Sequence, residues 1–234
     1  MDIIDLLIQF NLTRQEASIY LTLLSEGDMN GYEVAKVTGI SRSNTYTSLA
    51  SLVDKGGAFT IEGPTTRYTP VPIEEFCENK IRNLQEKKQD IIKSIPHKRD
   101  EIEGYITIKG RSHILDKMRN MVKEAKERVY LSISETALQC ILPEIRNAIN
   151  RGIKMVLITN MSFSLEGATA YFTEKPQQQI RLIVDSTNVL TGDIDDGEHS
   201  TCLYSKKKNL IDLLKDSLKN EIRLIEMMKG ENRT

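Results

Sequence analysis

Residues 13 to 71 constrain the chain most, because caps, helical periodicity and glycine breaks recur there at the spacing of three short helices and a hairpin. Thr13 and Glu16 have the Ser/Thr-x-x-Glu spacing of a capping box. Ala17, Tyr20, Leu21 and Leu24 follow at helical spacing and predict one apolar face. Glu26-Gly27-Asp28 ends that helix. Asn30 can cap a second helix, Gly31 to Thr38, with Val34 and Val37 expected inward. Gly39 supplies the tight turn, since a residue without Cβ accepts positive φ at no steric cost. Ser41 caps a third helix, Arg42 to Lys55, which Gly56-Gly57 stops. Two helices joined by a short Gly-containing turn are the scaffold that lays its second helix in the DNA major groove.

The composition of the third helix points to a binding face. Its first turns, Ser41 to Ser48, carry short polar side chains with one arginine and one tyrosine, while Leu49, Leu52 and Val53 anchor the back half. A face selected only for solubility would use the better helix formers Glu and Lys. Ser, Thr and Asn are weak helix formers that serve well against base edges and phosphates. Arg42, Ser43, Asn44, Tyr46 and Thr47 are therefore the candidate DNA-binding residues, with Tyr46 open to a second reading as a core residue whose hydroxyl reaches the rim. After Gly57 the segment from Ala58 to Val71 alternates like two short strands around Gly63-Pro64, with Phe59 and Ile61 expected to face Tyr68. Arg67 lies just past the tip. It is either a solvated charge or, as its place on a wing favours, a further DNA contact.

The order LTxxEAxIYLxLL, then GISRSNTYTSLASLVDKG, then a hairpin ending RYTPVP and leading into a charged helix, resembles the TrmB family of transcriptional regulators. The resemblance implies a winged helix-turn-helix whose recognition helix begins at SRSNTYTS, working as a dimer on double-stranded DNA.

Charge sets a condition on that reading. Residues 1–72 hold five Lys/Arg (14, 36, 42, 55, 67) and eight Asp/Glu, a net of −3. Phosphate neutralisation drives DNA binding, so the few cations must be well placed: Arg42, Arg67 and either Lys36 or Arg14 toward the duplex. Weak binding by one copy follows, and dimerisation must supply the rest. Residues 73–103 read as a charged helix, with eight acidic and seven basic side chains. Ile81, Leu84, Ile91, Ile95 and Ile102 fall on a heptad seam interrupted by Lys88 and Lys98, and Pro96 should kink or end the helix. A paired, coiled-coil-like linker is the favoured reading, partly on the family resemblance; an amphipathic helix lying on its own domain is the alternative.

From Gly104 onward strands and helices alternate, as in an α/β domain. Residues 105–108, 129–134, 153–158 and 180–184 read as strands, the last two suited to a parallel sheet. Helices are expected from Gly110 to Lys126 and through Leu138, Ile141, Ile145 and Ile149. Another should run from Lys207 to Lys229, with Leu210, Leu213, Leu214, Leu218, Ile222 and Ile225 inward. A hairpin should turn at Asp195-Asp196-Gly197. The order KGRSHILDKMRNMVKEAKERVYLSIS…GIKMVLIT…IRLIVDSTNVLTG resembles the phospholipase-D-like regulatory domain attached to TrmB-type modules. Enzymes of that superfamily use His-x-Lys-x-x-x-x-Asp, but His97, His113 and His199 are followed two residues on by Arg99, Leu115 and Thr201. No enzyme is expected. Sugar-sensing members of the family carry a further β-rich subdomain, which is expected to be absent here, so sugar recognition does not carry over.

In open α/β sheets ligands sit beyond the carboxyl ends of the strands. Those ends offer Ser132, Ser134, Thr159, Asn160 and Asp185 as candidate effector contacts, with helix capping and loop polarity as the alternative, for Ser134 in particular. No cofactor is implied. Asp193, Asp195, Asp196, Glu198 and His199 do not complete a calcium loop, whose twelfth position is Tyr204 rather than Glu, and read as a solvated hairpin tip. The composition, 39% hydrophobic and 28% charged, is that of a soluble protein, with no apolar run able to span a bilayer and no leader. Cys77, Cys140 and Cys202 form no paired motif, which fits a reducing cytoplasm; Cys77 is either a buried thiol or a redox switch.

The chain thus reads as α+β overall. Residues 1–72 are a winged helix-turn-helix, 73–103 a helical dimerisation linker, and 104–234 an α/β phospholipase-D-like regulatory or dimerisation domain. The function expected is that of a dimeric DNA-binding transcriptional regulator with a small-molecule effector of unknown identity. The alternative is an adaptor that uses its winged helix for protein contacts.

Overall fold

A computed structural model describes residues 2–95, 104–160, 165–173, 178–195 and 199–231. The chain divides into two compact units, Met1–Lys98 and Arg99–Thr234. The first comprises α1 (Ile3–Gln9), α2 (Arg14–Glu26), β1 (Met29–Asn30), α3 (Gly31–Thr38), α4 (Arg42–Asp54), β2 (Ala58–Ile61), β3 (Arg67–Pro70) and α5 (Ile73–Ser94). The Thr13–Glu16 capping box forms with both reciprocal bonds, and Asn30 and Glu33 form a second at the start of α3. Gly39 takes the left-handed conformation, φ 70°, that closes the turn into α4.

Glu16 does more than cap. Its buried carboxylate accepts from the Thr13 amide at 2.7 Å and from Lys55 Nζ at 2.7 Å, tying the start of α2 to the residue that caps the C-terminus of α4. Burial alone would raise this carboxyl. The hydrogen bonds from Lys55, Thr13 and Ser51, with the Lys55 charge, more than reverse that and hold it below its ordinary value of 4.5. Tyr20, also buried, donates its hydroxyl to the Val71 carbonyl at 2.6 Å and packs on Phe76, ring centroids 5.2 Å apart. Burial first, then the neighbouring Cys77 and Glu75, push the Tyr20 phenol up to about 12. Phe76 brings the first turn of α5 into the same core as α1 and α2.

Three expectations for this unit are corrected. The buried face of α2 is Ala17, Ile19, Tyr20 and Leu23, and Leu24 is exposed, because α1, α3 and α4 all pack on α2 and widen the covered arc. Val37 is 57% exposed, since the short α3 meets its neighbours only along Gly31, Val34 and Ala35. In the wing Phe59 opposes Thr69, Thr60 opposes Tyr68 and Ile61 opposes Arg67. Phe59 and Ile61 therefore occupy the exposed face opposite to Tyr68, whose partner in β1 is Met29. A one-residue register difference exchanges the two faces.

Helix α5 ends at Ser94 with Ile95 extended, φ −83° and ψ 122°, as a residue preceding proline requires. Beyond Lys80 every described residue of α5 is exposed, and Ile81, Leu84, Ile91 and Ile95 form an uncovered apolar stripe. Pro96, His97, Lys98 and Ile102 lie outside the described residues.

The second unit comprises β4 (Tyr105–Lys109), α6 (Arg111–Glu124), β5 (Arg128–Ser132), α7 (Glu135–Gln139), α8 (Leu142–Asn150), β6 (Lys154–Thr159), β7 (Ala168–Phe172), β8 (Gln179–Val184), β9 (Asn188–Asp193), β10 (Thr201–Ser205) and α9 (Lys208–Glu231). Its strands form one seven-stranded sheet in the order β4-β10-β9-β8-β5-β6-β7. Val129, Leu131, Leu157 and Leu182 face α6 and α8, whereas Ile158, Ile183 and Val189 face α9. The hairpin β9–β10 forms as expected, although Asp196 and Gly197 of its turn lie outside the described residues.

Here too the structure departs from expectation. β5, β6 and β7 are parallel, but β8 runs antiparallel to β5. A parallel return needs a crossover of a dozen or more residues, and only residues 173–178 separate β7 from β8. The edge strand β7 has no alternating apolar pattern to announce it. The helix expected through Leu138 and Ile149 is two helices broken at Cys140 and Ile141 ahead of Pro143. Leu213 points outward, 66% exposed, while Ile211, Leu214, Leu218 and Ile225 carry the buried face of α9.

Replacing Glu16 by Gln should cost about 2 kcal/mol at neutral pH, because the Lys55 ammonium loses its charged partner. Glu16 has a depressed pKa, so its contribution is full above 4.5 and disappears as pH falls through the folded value. Urea unfolding of the two proteins should therefore differ most near pH 7 and converge as pH falls below the depressed folded-state value of Glu16.

Candidate nucleic-acid interface

The exposed side of α4 is built by its own buried side. Thr45, Ser48, Leu49 and Leu52 turn inward, and the Thr45 hydroxyl donates to the Ser41 carbonyl at 3.0 Å. That leaves Arg42, Ser43, Asn44, Tyr46 and Thr47 exposed together, the five residues predicted on this helix. Ser41 accepts from the Asn44 amide at 3.4 Å and fixes the first turn. Thr47, exposed, donates its hydroxyl to the Ser43 carbonyl at 3.0 Å and keeps its oxygen lone pairs available to accept. Tyr46 is half exposed, and its ring lies on Gly31, where an added Cβ would come within 2.4 Å of it. Core burial of Tyr46 is thereby excluded.

The electrostatics of α4 differ from those of the four other helices in this unit. α1, α2, α3 and α5 each carry an acidic residue in the first turn, where the helix dipole is positive; α4 has none and begins with Arg42. The cations of residues 1–72 are also unequal. Arg14 pairs with Asp5 at 2.9 Å, Lys55 with Glu16 at 2.7 Å and Arg67 with Glu33 at 3.4 Å. Among the described residues Lys36 and Arg42 make no ion pair, and both belong to the helix-turn-helix. Arg42 instead lies over the ring of Tyr32, 4.6 Å from its centroid. Sequence reasoning missed Tyr32, whose position on α3 carries no periodic signal.

Arg67 occupies a different environment from the one expected. Its guanidinium donates to the Asp28 carbonyl as well as pairing with Glu33, so it ties β3 to the start of α3. Its charge is thus paired rather than free, with the Arg67 and Glu33 side chains both still 42% exposed.

Four of the five candidate effector residues of the second unit lie at the carboxyl ends of β5 and β6, though on different faces, and Asp185 does not join them. Ser132 and Thr159 are buried at the carboxyl ends of β5 and β6, where Ser132 follows the α9-facing Tyr130 and Thr159 follows Leu157 on the other face. Ser134 caps α7, accepting from the Ala137 amide at 3.5 Å, and Asn160 accepts from the Glu135 amide at 2.9 Å. Thr159 Oγ1 is buried with no hydrogen-bond partner among the described residues. Asp185 lies at the opposite end of the sheet, because β8 is antiparallel. Its carboxylate accepts from the amides of Lys126, Glu127 and Arg128 at 2.8–2.9 Å. Burial raises that carboxyl, and the three amides with the Lys126 charge lower it further, leaving it below its ordinary range. At this end a cleft of about 700 Å³ is lined by Lys117, Glu124, Lys126, Asp185, Asn188 and Tyr204, among others. The Cys77 thiol is pushed up by burial, which disfavours the thiolate that a redox switch needs.

Comparison with known proteins finds a family match in each unit. The family profile described as "Sugar-specific transcriptional regulator TrmB" matches residues 6–74. That of "Transcriptional regulator TrmB, EBD N-terminal subdomain" matches residues 104–221, half of the chain. An uncharacterised protein of Bacillus subtilis, YrhO, is 27% identical over 97% of this chain and 87% of its own length. The DNA-binding HTH-type transcriptional repressor TrmBL2 of Thermococcus kodakarensis is 24% identical over 74% of each chain. A solved structure of TrmBL2, described as an archaeal chromatin protein, covers 94% of this chain and 96% of its own at 21% identity, with a TM-score of 0.45. Among the described residues no helix is long and apolar enough to cross a membrane.

Arg67→Ala should loosen the wing, lowering stability by about 1 kcal/mol. Thermal unfolding and amide exchange of β3 would register this loss, whereas a fully solvated arginine would leave both unchanged.

Proposed function

Because the chain belongs to the TrmB family of transcriptional regulators, we propose that it binds duplex DNA as a homodimer through the exposed side of α4. The observation that carries this reading is the placement of Arg42 and Lys36, the two cations of the acidic residues 1–72 that pair with no carboxylate among the described residues. Arg42 and Asn44 suit a guanine and an adenine edge, with Ser43, Tyr46 and Thr47 beside them. Arg67 serves the wing rather than the duplex. One copy offers few phosphate contacts, and two copies joined along Ile81, Leu84, Ile91 and Ile95 double them without a new kind of contact. Lys88 interrupts that seam and keeps the pairing register-specific at a cost in stability.

The C-terminal unit acts in this reading as a sensor without chemistry: no histidine begins the phosphodiesterase motif. The cleft beside Asp185 supports a small polar effector better than the carboxyl ends of β5 and β6, since it offers both signs of charge with a tyrosine and an amide in one cavity. The reading places the protein in the cytoplasm. An adaptor role is favoured by one observation, the exposed Phe59 and Ile61 on the outer face of the wing.

Duplexes selected by the protein from a random pool, measured by fluorescence anisotropy across salt concentrations, test the DNA reading. Sequence-preferring binding is expected, and Arg42→Ala should weaken it at least tenfold, flattening the log–log salt slope by up to about 2 per dimer. No selected duplex, with the fold intact, would favour the adaptor. Sedimentation tests the seam. Leu84→Asp with Ile91→Asp should give monomers whose DNA affinity falls by about tenfold or more, while Lys88→Ile should tighten the dimer. A double variant that remains a full-strength dimer would move dimerisation away from α5.

A further inference from the structure

We propose that Tyr32 is a positioning residue for Arg42, holding its guanidinium at the start of α4 without neutralising it. The inference rests on the reading that α4 contacts DNA. The two other arginines of the first 72 residues are each held by a carboxylate, Arg14 by Asp5 and Arg67 by Glu33. A carboxylate orients a guanidinium but occupies its donors, cancels its charge and repels an approaching phosphate. An aromatic face attracts the cation through its quadrupole and accepts none of the in-plane N–H bonds. With Cζ 4.6 Å from the Tyr32 centroid, Arg42 keeps both its charge and its fork of donors.

The surroundings make this more than a chance stack. Tyr32 is 51% exposed, and the inward positions of α3 are taken by Gly31, Val34 and Ala35, so the ring contributes little to the core. Arg42 and Tyr46 stand one turn apart on α4. They meet consecutive residues of α3: Tyr46 covers Gly31, and Arg42 covers Tyr32. The first turn of α3 is thus clamped to the candidate reading face at two successive levels. Capping by Asn30 and Glu33 fixes that turn in place.

The test compares Tyr32→Ala, Tyr32→Phe and Arg42→Ala, alone and combined, on the duplex selected by the unaltered protein and on a scrambled one. Tyr32→Ala should weaken specific binding roughly two- to fivefold while leaving the salt slope unchanged, because the charge remains. Tyr32→Phe should bind like the parent, and Tyr32→Ala should add nothing once Arg42 is already Ala. The inference is overturned if Tyr32→Ala binds as well as or better than the parent, if its loss persists without Arg42, or if Tyr32→Phe is equally weak. Should Arg42→Ala itself be harmless, the DNA reading of α4 fails and takes this inference with it. Should Tyr32→Ala not fold, the Arg42 Nε–H resonance decides. It should be shielded by the ring in the parent and in Tyr32→Phe, and a shift that is unshielded in the parent sinks the stack.

Discussion

The geometry of the N-terminal unit depends on the pairing of Glu16 with Lys55. One carboxylate closes the capping box of α2 and accepts from the lysine that terminates α4, so a single buried charge sets both where α2 begins and where α4 ends. A buried ion pair is poor evidence for stability, since well-packed apolar residues often do as well. Its value here is orientation. With the C-terminal end of α4 tied and its N-terminal end capped by Ser41, the exposed side between them has one direction to face.

The same pairing bears on how an acidic unit can approach a polyanion. Lys55, Arg14 and Arg67 are each committed to a carboxylate, and by that commitment they also remove Glu16, Asp5 and Glu33 as sources of repulsion. Net charge is therefore a poor guide to the field at α4. What matters is that, of the cations in residues 1–72, those without a carboxylate partner among the described residues lie on α3 and α4, and that α4 lacks the first-turn acid found in the neighbouring helices.

Much of this was legible in the sequence, and what was not follows a rule. Caps and breaks are local chemistry: Thr13, Asn30, Gly39 and Ser41 were read correctly because the residues that form each device lie within four positions of one another. Faces of short helices were read less well. Val37 and Leu24 fit the periodicity but not the packing, which is decided by how many neighbours a helix has. Pairing across space was hardest. The partner of Arg67 comes from α3, 34 positions away, and the direction of β8 depends on the length of the connection from an edge strand, β7, that carries no pattern. Asp185 was placed with Ser132 and Thr159 for that reason alone. The candidate recognition residues stand together because one helix carries them; of the candidate effector residues, Asp185 alone is separated, because its place depends on the direction of a strand.

The anchoring of α5 has a mechanical consequence. Because Phe76 and the Val71 carbonyl bind its base into the core of the winged helix, the 22-residue helix behaves as a lever whose fulcrum is that core. At 1.5 Å per residue it projects roughly 33 Å, so a tilt of about 10° at the base displaces the far end by roughly 6 Å. The relation also runs backwards. A ratchet of one helical step between two α5 helices paired as proposed would turn both fulcrums, and with them both copies of α4, with no rearrangement inside either winged helix.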